Sequence, residues 1–179
     1  MKTAFIGLGV MGFPMAGHLK TAGHEVAVYN RGPEKARRWA EKHGGAAFST
    51  IAEAVAGAEV VLLCVGNDDD VRDVVAQALP AMAQGGVIVD HTTTSAKVAR
   101  EMSALATASG RAFVDAPVSG GQAGAENGQL TIMAGGDQAA YDQVLPVIEV
   151  YAKAVRRMGE VGAGQLTKMC NQIAIAGVV

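Results

Sequence analysis

The sequence predicts an α/β protein with a doubly wound, mostly parallel sheet. Short apolar runs alternate with helical segments along almost all of its 179 residues, which is the order that parallel strands and crossover helices require. The run at 59–65 (EVVLLCV) is apolar throughout except at its first residue, as expected for a strand buried on both faces. A glycine cluster directly after the first run is typical of the turn from a strand into a helix in such sheets. Together these observations favour an open sheet covered by helices on both faces.

The strands are assigned to runs of apolar and β-branched residues bounded by turn residues. The run at 59–65 is the strongest, and the run at 46–48 is the weakest. In chain order the predicted strands cover residues 3–6, 25–29, 46–48, 59–65, 87–89, 111–118, 130–134 and 153–158.

The helices are assigned from capping residues as well as from periodicity. Pro33 suits a first helical turn, and Gly44 suits the residue after a helix end. Ser49 or Thr50 can cap the short helix that follows, and the aspartates at 68–70 favour a helix N-terminus because of its dipole. The predicted helices cover residues 10–22, 34–43, 51–56, 68–79, 96–109 and 137–150.

Two segments depart from this alternation. The glycine-rich segment 119–128 is expected to be a long loop. After 159–164, an apolar, alanine-rich helix is expected to begin near Gln165 and still to run at Val179 without a capping residue. This pattern predicts that the sequence is the front part of a longer protein.

Composition excludes several classes of function. With 15 Lys and Arg against 17 Asp and Glu, the net charge is −2 and no basic block occurs, so a nucleic-acid binder or a polybasic membrane anchor is not expected. No apolar run reaches the length of about 20 residues that a membrane-spanning helix needs. Cys64 and Cys170 each lie in an apolar stretch, which indicates a reducing, cytoplasmic environment rather than a disulfide scaffold.

The segment at 7–12 reads G-x-G-x-x-G between the first predicted strand and the first predicted helix. In that position the first glycine permits a sharp turn, the second lets the backbone approach a pyrophosphate, and the third allows close helix–strand packing. The alternative is a tight turn that needs glycines for packing only. The segment therefore predicts a dinucleotide site that uses Gly7, Leu8, Gly9, Val10, Met11 and Gly12.

The end of the second predicted strand bears on the choice of nucleotide. Sites selective for NAD usually carry an acidic residue here, whereas this chain has Asn30 and Arg31. An arginine pairs with a 2′-phosphate that a carboxylate would repel. We therefore expect NADP(H) to be preferred and NAD(H) to remain usable. The alternative is that Arg31 is an ordinary solvated turn residue.

Other strand ends should face the same crevice, because ligands lie outside the carboxyl ends of parallel strands. Thr93 could face a nicotinamide, although residues 92–95 can equally serve only as helix caps. Cys64 is expected to act as a small buried apolar residue rather than a reactive thiol. These positions complete the predicted cofactor set with Cys64, Val65, Gly66, Asp69 and Thr93.

Substrate chemistry is assigned to two further segments. Ser119 offers a hydroxyl, and Gly120 and Gly121 offer backbone amides that suit a carboxylate, although a glycine-rich loop can also merely reverse the chain. Lys168 is unusual in an apolar helix, where desolvation would lower its pKa and make it a usable acid or base, and Asn171 lies on the same face. The alternative is a lysine that reaches water. The four histidines show no ligand spacing, so no metal site is predicted.

Three separated motifs resemble those of the β-hydroxyacid dehydrogenase family. They are residues 7–16 (GLGVMGFPMA), residues 115–121 (DAPVSGG) with the glycines that follow, and residues 162–164 (GAG) with Lys168 and Asn171. The family includes 3-hydroxyisobutyrate dehydrogenase, tartronate semialdehyde reductase and glyoxylate/succinic semialdehyde reductase. The resemblance implies a Rossmann domain over residues 1–163. It also implies that residues 164–179 begin a connecting helix to an all-helical second domain that this chain lacks, and that the full-length protein forms a homo-oligomer.

The same resemblance implies roles for individual residues. Lys168 would be the general acid or base, Asn171 would assist at the hydroxyl or carbonyl, and Ser119 with the glycines at 120–121 would hold a substrate carboxylate. Many relatives carry Asn-Asn where this chain has Asn171-Gln172, which leaves open which amide acts. The expected reaction is hydride transfer between a nicotinamide cofactor and a small 3-hydroxy acid or semialdehyde. The alternatives are a related imine or carbonyl reductase and a dinucleotide-binding module without catalysis.

Overall fold

The computed structural model describes residues 1–177. The strands are β1 (Lys2–Ile6), β2 (Glu25–Tyr29), β3 (Ala46–Ala47), β4 (Val60–Leu63), β5 (Val87–Asp90), β6 (Ala112–Asp115), β7 (Val118–Ser119), β8 (Leu130–Gly135) and β9 (Ala152–Gly159). The helices are α1 (Gly12–Thr21), α2 (Pro33–His43), α3 (Ile51–Val55), α4 (Asp68–Ala78), α5 (Ala96–Ala108), α6 (Gly121–Glu126), α7 (Gln138–Ile148) and α8 (Ala163–Ala176). One turn of 3₁₀ helix at Glu149–Tyr151 follows α7.

The strands form one sheet in the order β3-β2-β1-β4-β5-β6-β8-β7, and β9 pairs with β8. The six strands from β3 to β6 in this order are all parallel to their neighbours. Strand β8 runs antiparallel to β6 and β7 and parallel to β9. The predicted doubly wound, mostly parallel Rossmann sheet is therefore confirmed.

Apolar cores lie on both faces of the sheet. One contains residues of α1, α2, α6 and α7, such as Trp39 and Val144, and the other contains residues of α3, α4 and α5, such as Val75 and Met102. Strand β4 contributes alternate residues to the two cores, with Leu62 on one face and Leu63 on the other. This two-sided burial explains why the sequence of β4 is continuously apolar.

The structure differs from the prediction at 111–128. The single predicted strand is divided by Pro117 into β6 and β7, because proline has no N–H for a ladder hydrogen bond. The predicted loop at 119–128 contains α6, whose Ala125 is fully buried in the core. His18 of α1 contacts the last carbonyls of α6, with its Nε2 3.0 Å from the Ala125 oxygen. Packing thus converts a glycine-rich segment into a short helix.

The last helix also differs from the prediction. Helix α8 begins at Ala163, two residues earlier than expected, and ends at Ala176 with Gly177 as its C-cap. The prediction that the helix still runs at Val179 concerns residues 178–179, which lie outside the described part of the chain. The predicted division at 163/164 would fall within the first turn of α8.

Candidate functional site

The glycine loop between β1 and α1 depends on glycine at two of its three positions. Gly7 has a φ of +95°, and a Cβ there would collide with the carbonyl oxygen of Cys64. A Cβ on Gly12 would collide with the Gly7 carbonyl oxygen. Gly9 has no atom within 4 Å of the place of a Cβ, so the space beside it is open. The loop therefore presents open backbone at the start of α1, as the binding of a pyrophosphate requires.

A cleft of about 360 Å³ opens from this loop along the carboxyl ends of β1, β2 and β4. It gathers many residues of the predicted cofactor set, namely Gly7, Gly9, Asn30, Arg31, Cys64, Val65 and Gly66. We call it the cofactor cleft. It is also lined by three charged residues that sequence reasoning did not select, Lys35, Asp70 and Asp73. Lys35 and Asp70 lie in the first turns of α2 and α4, and Asp73 lies in the second turn of α4.

Asn30 braces the glycine loop. Its Oδ1 accepts a hydrogen bond from the Leu8 N–H at 2.8 Å, and its Nδ2 donates to the Gly32 carbonyl at 2.9 Å. Leu8 itself is buried, whereas Val10 is exposed. The side chain of Arg31 is 87% exposed, with its Nη1 3.4 Å from Oδ1 of Asp70. Arg31 is thus available at the mouth of the cleft, whereas the amide of Asn30 is engaged with the backbone.

The structure does not bring Asp69 into the cofactor cleft. Its side chain is 91% exposed and pairs with Arg72 at 2.8 Å along the outer surface of α4. The neighbouring Asp70 faces the cleft instead, with its Oδ2 accepting a hydrogen bond from the Gly66 N–H at 3.2 Å. Successive helical residues point in directions about 100° apart, so the carboxylate that faces the cleft could not be identified without the helix register.

A second cleft, of about 450 Å³, joins the first, because Cys64 and Val65 line both. We call it the substrate cleft. It gathers predicted residues from four separate segments of the chain, namely Met11, Thr93, Ser119, Gly120, Gly121 and Lys168. Gln172 lines this cleft, whereas Asn171 is half-buried beside it. The geometry therefore favours Gln172 over Asn171 as the amide that faces the cleft.

Lys168 is buried in the wall of the substrate cleft. Only 7% of the residue is exposed, and burial lowers the pKa of its ammonium group from the ordinary value. Between residues 1 and 177 no carboxylate lies within ion-pair distance of it. The lysine lies on the second turn of α8 rather than the first, because the helix begins at Ala163. The little of Lys168 that is exposed lies in the wall of this cleft.

Two buried polar residues that sequence reasoning did not assign hold α8 in place. The carboxylate of Asp115, at the end of β6, accepts hydrogen bonds from the N–H groups of Gly162 at 2.6 Å and Gln165 at 2.9 Å. The side chain of Gln165 accepts from the Thr94 N–H at 3.0 Å and donates to the Thr92 carbonyl at 2.7 Å. These bonds tie the helix that carries Lys168 to the segment that carries Thr93. The sequence signals for Asp115 were a carboxylate in an apolar strand and its place at the start of the 115–121 motif, whereas Gln165 had none.

Burial also shifts the pKa values of three titratable groups near the junction of the clefts. It raises the pKa of the Cys64 thiol to about 12, which agrees with the predicted unreactive thiol. It raises the pKa of Asp90 to about 7, and Oδ2 of that carboxyl has no hydrogen-bond partner. Burial lowers the pKa of His91 to about 4. The ring is therefore neutral near pH 7, with Nδ1 donating to the Ala116 carbonyl at 2.7 Å and Nε2 accepting from the Tyr151 hydroxyl at 2.8 Å.

Neither a cluster of metal-binding side chains nor a helix able to cross a membrane occurs among the described residues. Over residues 1–177, His, Cys, Asp and Glu side chains do not converge in groups that could hold a metal ion. In the same part of the chain, no helix combines the length and the apolar character needed to cross a membrane.

Comparisons with known proteins agree with this geometry. Residues 2–161 match the family model described as the NAD binding domain of 6-phosphogluconate dehydrogenase. An uncharacterized oxidoreductase of Shewanella frigidimarina is 59% identical over 99% of this chain and 62% of its own length. The structure of Mycobacterium tuberculosis 3-hydroxyisobutyrate dehydrogenase with L-serine superposes with a TM-score of 0.94 at 39% identity, over 98% of this chain and 60% of that one. The complex of Psf3 with NADP+ and 2-OPP gives a TM-score of 0.90 at 30% identity, over 96% of this chain and 62% of that one.

The chain thus spans about 60% of the length of these relatives. The resemblance predicted from three sequence motifs is confirmed, because relatives named as oxidoreductases and as 3-hydroxyisobutyrate dehydrogenases match nearly the whole chain. By its fold, its glycine loop and the family match over residues 2–161, this chain belongs to the NAD-binding domain family of 6-phosphogluconate dehydrogenase.

Proposed function

We propose that the chain forms the cofactor domain, and part of the substrate site, of an NADP(H)-preferring dehydrogenase. Its reaction would interconvert a small 3-hydroxy acid and the corresponding semialdehyde. The observation that carries the proposal is the position of Lys168. It is a buried cation beside Ser119 and Gly120, in a cleft that joins the one formed by the glycine loop.

The residues present fit a nicotinamide dinucleotide. The open space beside Gly9 and the start of α1 suit a pyrophosphate, and the free side of Arg31 suits a 2′-phosphate. When bound, the nicotinamide supplies or accepts the hydride. Binding of NADP+ by Psf3 supports the preference for the phosphorylated cofactor, and NADH remains a usable alternative. Cys64, Val65 and Thr93 would then line the passage from one cleft to the other.

The substrate cleft can hold a carboxylate and a carbonyl side by side. Gly120 and Gly121 line the cleft without side chains, and their φ values of +134° and +61° are ones that other residues rarely adopt. Their backbone N–H groups would be the donors to a carboxylate. Together with the Ser119 hydroxyl they would bind the carboxylate of the substrate. The Lys168 ammonium would then protonate the carbonyl oxygen during reduction, and the neutral Lys168 amine would accept the hydroxyl proton during oxidation, with Gln172 or Asn171 orienting the oxygen.

The test compares Lys168→Met and Lys168→Arg in the complete protein, with Lys153→Met on the sheet edge as a matched control. We expect Lys168→Met to lower kcat for semialdehyde reduction by about 100-fold to 10,000-fold, the usual contribution of a general acid. The dissociation constant for NADPH, followed by nicotinamide fluorescence, should stay within about twofold. Retained turnover in Lys168→Met would refute the role of the lysine.

The dependence of turnover on pH provides a second test of Lys168 as the general acid or base. Because burial lowers the pKa of Lys168, the protonated form needed for reduction is lost at a lower pH than for an exposed lysine. As the pH rises through the lowered pKa of Lys168, the reduction rate should therefore fall and the oxidation rate should rise. Turnover of imines but not of semialdehydes would favour the imine reductase alternative. Cofactor binding without any turnover would favour a binding module.

The remaining expectations belong to the same proposal. The partner is a small carboxylate-bearing substrate rather than a nucleic acid or a membrane, and the complete protein is a homo-oligomer. Both cysteines, Cys64 and Cys170, are free thiols, which supports a reducing, cytoplasmic location.

A further inference from the structure

We propose that Asp70 tunes the choice between NADPH and NADH by competing with the 2′-phosphate for Arg31. The inference rests on the proposed function, since it assigns a specificity role within the cofactor cleft. Nη1 of Arg31 lies 3.4 Å from Oδ1 of Asp70, across the mouth of that cleft. Any anion that binds Arg31 at this place must displace, or share the guanidinium with, a carboxylate that is already there.

The two partners differ in their freedom to move. Asp70 lies in the first turn of α4, its side chain is only 26% exposed, and its Oδ2 accepts the Gly66 N–H. Arg31 lies in the turn after β2 with most of its side chain in solvent. When a phosphate arrives, Arg31 can turn toward it, whereas Asp70 stays in the wall of the cleft. The carboxylate then faces a more highly charged anion of the same sign.

The other charges of the cleft do not cancel the repulsion between the Asp70 carboxylate and a 2′-phosphate. Lys35 lines the cleft from the first turn of α2, and Asp73 lines it from α4, so the lining holds Arg31 and Lys35 against Asp70 and Asp73. A ribose 2′-hydroxyl is neutral, and a carboxylate is the group that accepts its hydrogen bond in NAD-selective sites. Asp70 therefore disfavours the 2′-phosphate and tolerates the hydroxyl. This arrangement predicts that the cleft also accepts NADH although it contains an arginine.

The test removes the charge of Asp70 and keeps its shape. Asp70→Asn retains an oxygen for the Gly66 N–H, so the start of α4 is preserved, and Asp70→Ser provides a second uncharged variant. We expect each variant to bind NADPH about threefold more tightly, the scale of a partly exposed ion pair, with NADH binding unchanged or weaker. In an Arg31→Ala background, Asp70→Asn should improve NADPH binding by a smaller factor, because the competition for the guanidinium is gone.

The neighbouring Asp69 is a matched control. Asp69→Asn removes the same charge from the same helix turn, but this side chain pairs with Arg72 outside the cleft. Its NADPH/NADH affinity ratio should equal that of the unaltered protein. Equal ratios in Asp70→Asn, Asp69→Asn and the unaltered protein would overturn the inference and leave the proposed function standing. Failure of the unaltered, folded protein to bind either nucleotide would instead overturn the proposed function.

Discussion

The cofactor cleft and the substrate cleft differ in the parts of the chain that form them. The proposed phosphate-binding part of the first consists of backbone from one continuous segment, and two of its three glycines are explained by collisions that a Cβ would cause. The second is lined by residues from separate segments, and buried hydrogen bonds from Asp115 and Gln165 hold α8 against β6 and against the segment that contains Thr92. The first kind of site is therefore sensitive to added volume, and the second kind is sensitive to lost polar partners.

The largest effect is expected from Gly12→Ala, in the backbone-built site. A methyl group at Gly12 would meet both the Gly7 carbonyl and, at 2.9 Å, Cε1 of the Phe5 ring. We expect the free energy of unfolding to fall by more than about 3 kcal/mol, as in strongly overpacked cores. Urea denaturation measures this directly.

Gly9→Ala is the contrasting variant within the same loop. Its methyl group has no neighbour within 4 Å, so the free energy of unfolding should change by less than about 0.5 kcal/mol. The NADPH affinity should nevertheless fall, because the methyl group occupies the space left for the pyrophosphate. Equal losses of stability in the two variants would contradict this distinction.

A smaller effect is expected from Gln165→Leu, in the site held by side chains. The change leaves the buried Thr94 N–H and the Thr92 carbonyl without their partners, which should lower the free energy of unfolding by about 2 kcal/mol. Because α8 loses its tie to the segment of Thr93, kcat should fall while the NADPH dissociation constant stays within about twofold. Gln165→Glu keeps the acceptor for Thr94 but sets a buried carboxylate oxygen against the Thr92 carbonyl, so it should not restore stability near pH 7. A change in NADPH affinity alone would contradict the positioning role.

The smallest effect is expected from pH, and it concerns Asp90 and His91 beside the substrate cleft. Below pH 6.5 the unfolded chain protonates His91, whereas the folded chain does so only near pH 4, so the histidine lowers stability as the pH falls through this window. Asp90 acts in the opposite direction, since the folded chain protonates it near pH 7 and the unfolded chain near 3.8. The two contributions largely cancel in the unaltered protein.

Asp90→Asn should expose the contribution of His91. We expect this variant to lose about 1 kcal/mol more than the unaltered protein between pH 6.5 and 5.5, as measured by urea unfolding at both values. The acceptor for the Thr92 N–H is retained in the asparagine, so the loss should be confined to acid conditions. If the free energy of unfolding changes equally with pH in Asp90→Asn and in the unaltered protein, Asp90 and His91 do not titrate in this way.

The sequence predicted the sheet, the glycine loop and most of the residues that line the clefts, because each has a local signature. Strand β4 is apolar at every residue, and Gly7 to Gly12 stand between a strand and a helix. It did not predict α6, because glycine-rich composition resembles a loop and only the burial of Ala125 makes the segment helical. It selected Asp69 rather than Asp70, and it did not find Gln165. In both cases the deciding factor is the direction of a side chain in three dimensions.

The glycine loop has a further consequence for the order in which the molecule is assembled. Its Gly7 N–H donates to the Tyr29 carbonyl at 2.9 Å, its Leu8 N–H donates to Asn30, and Gly7 packs on the carbonyl of Cys64. On a ribosome, Cys64 is added long after Gly7, and parallel pairing is slow because it joins distant segments. The glycine loop therefore cannot be completed when its own segment is made, but only after the chain has been extended to Cys64.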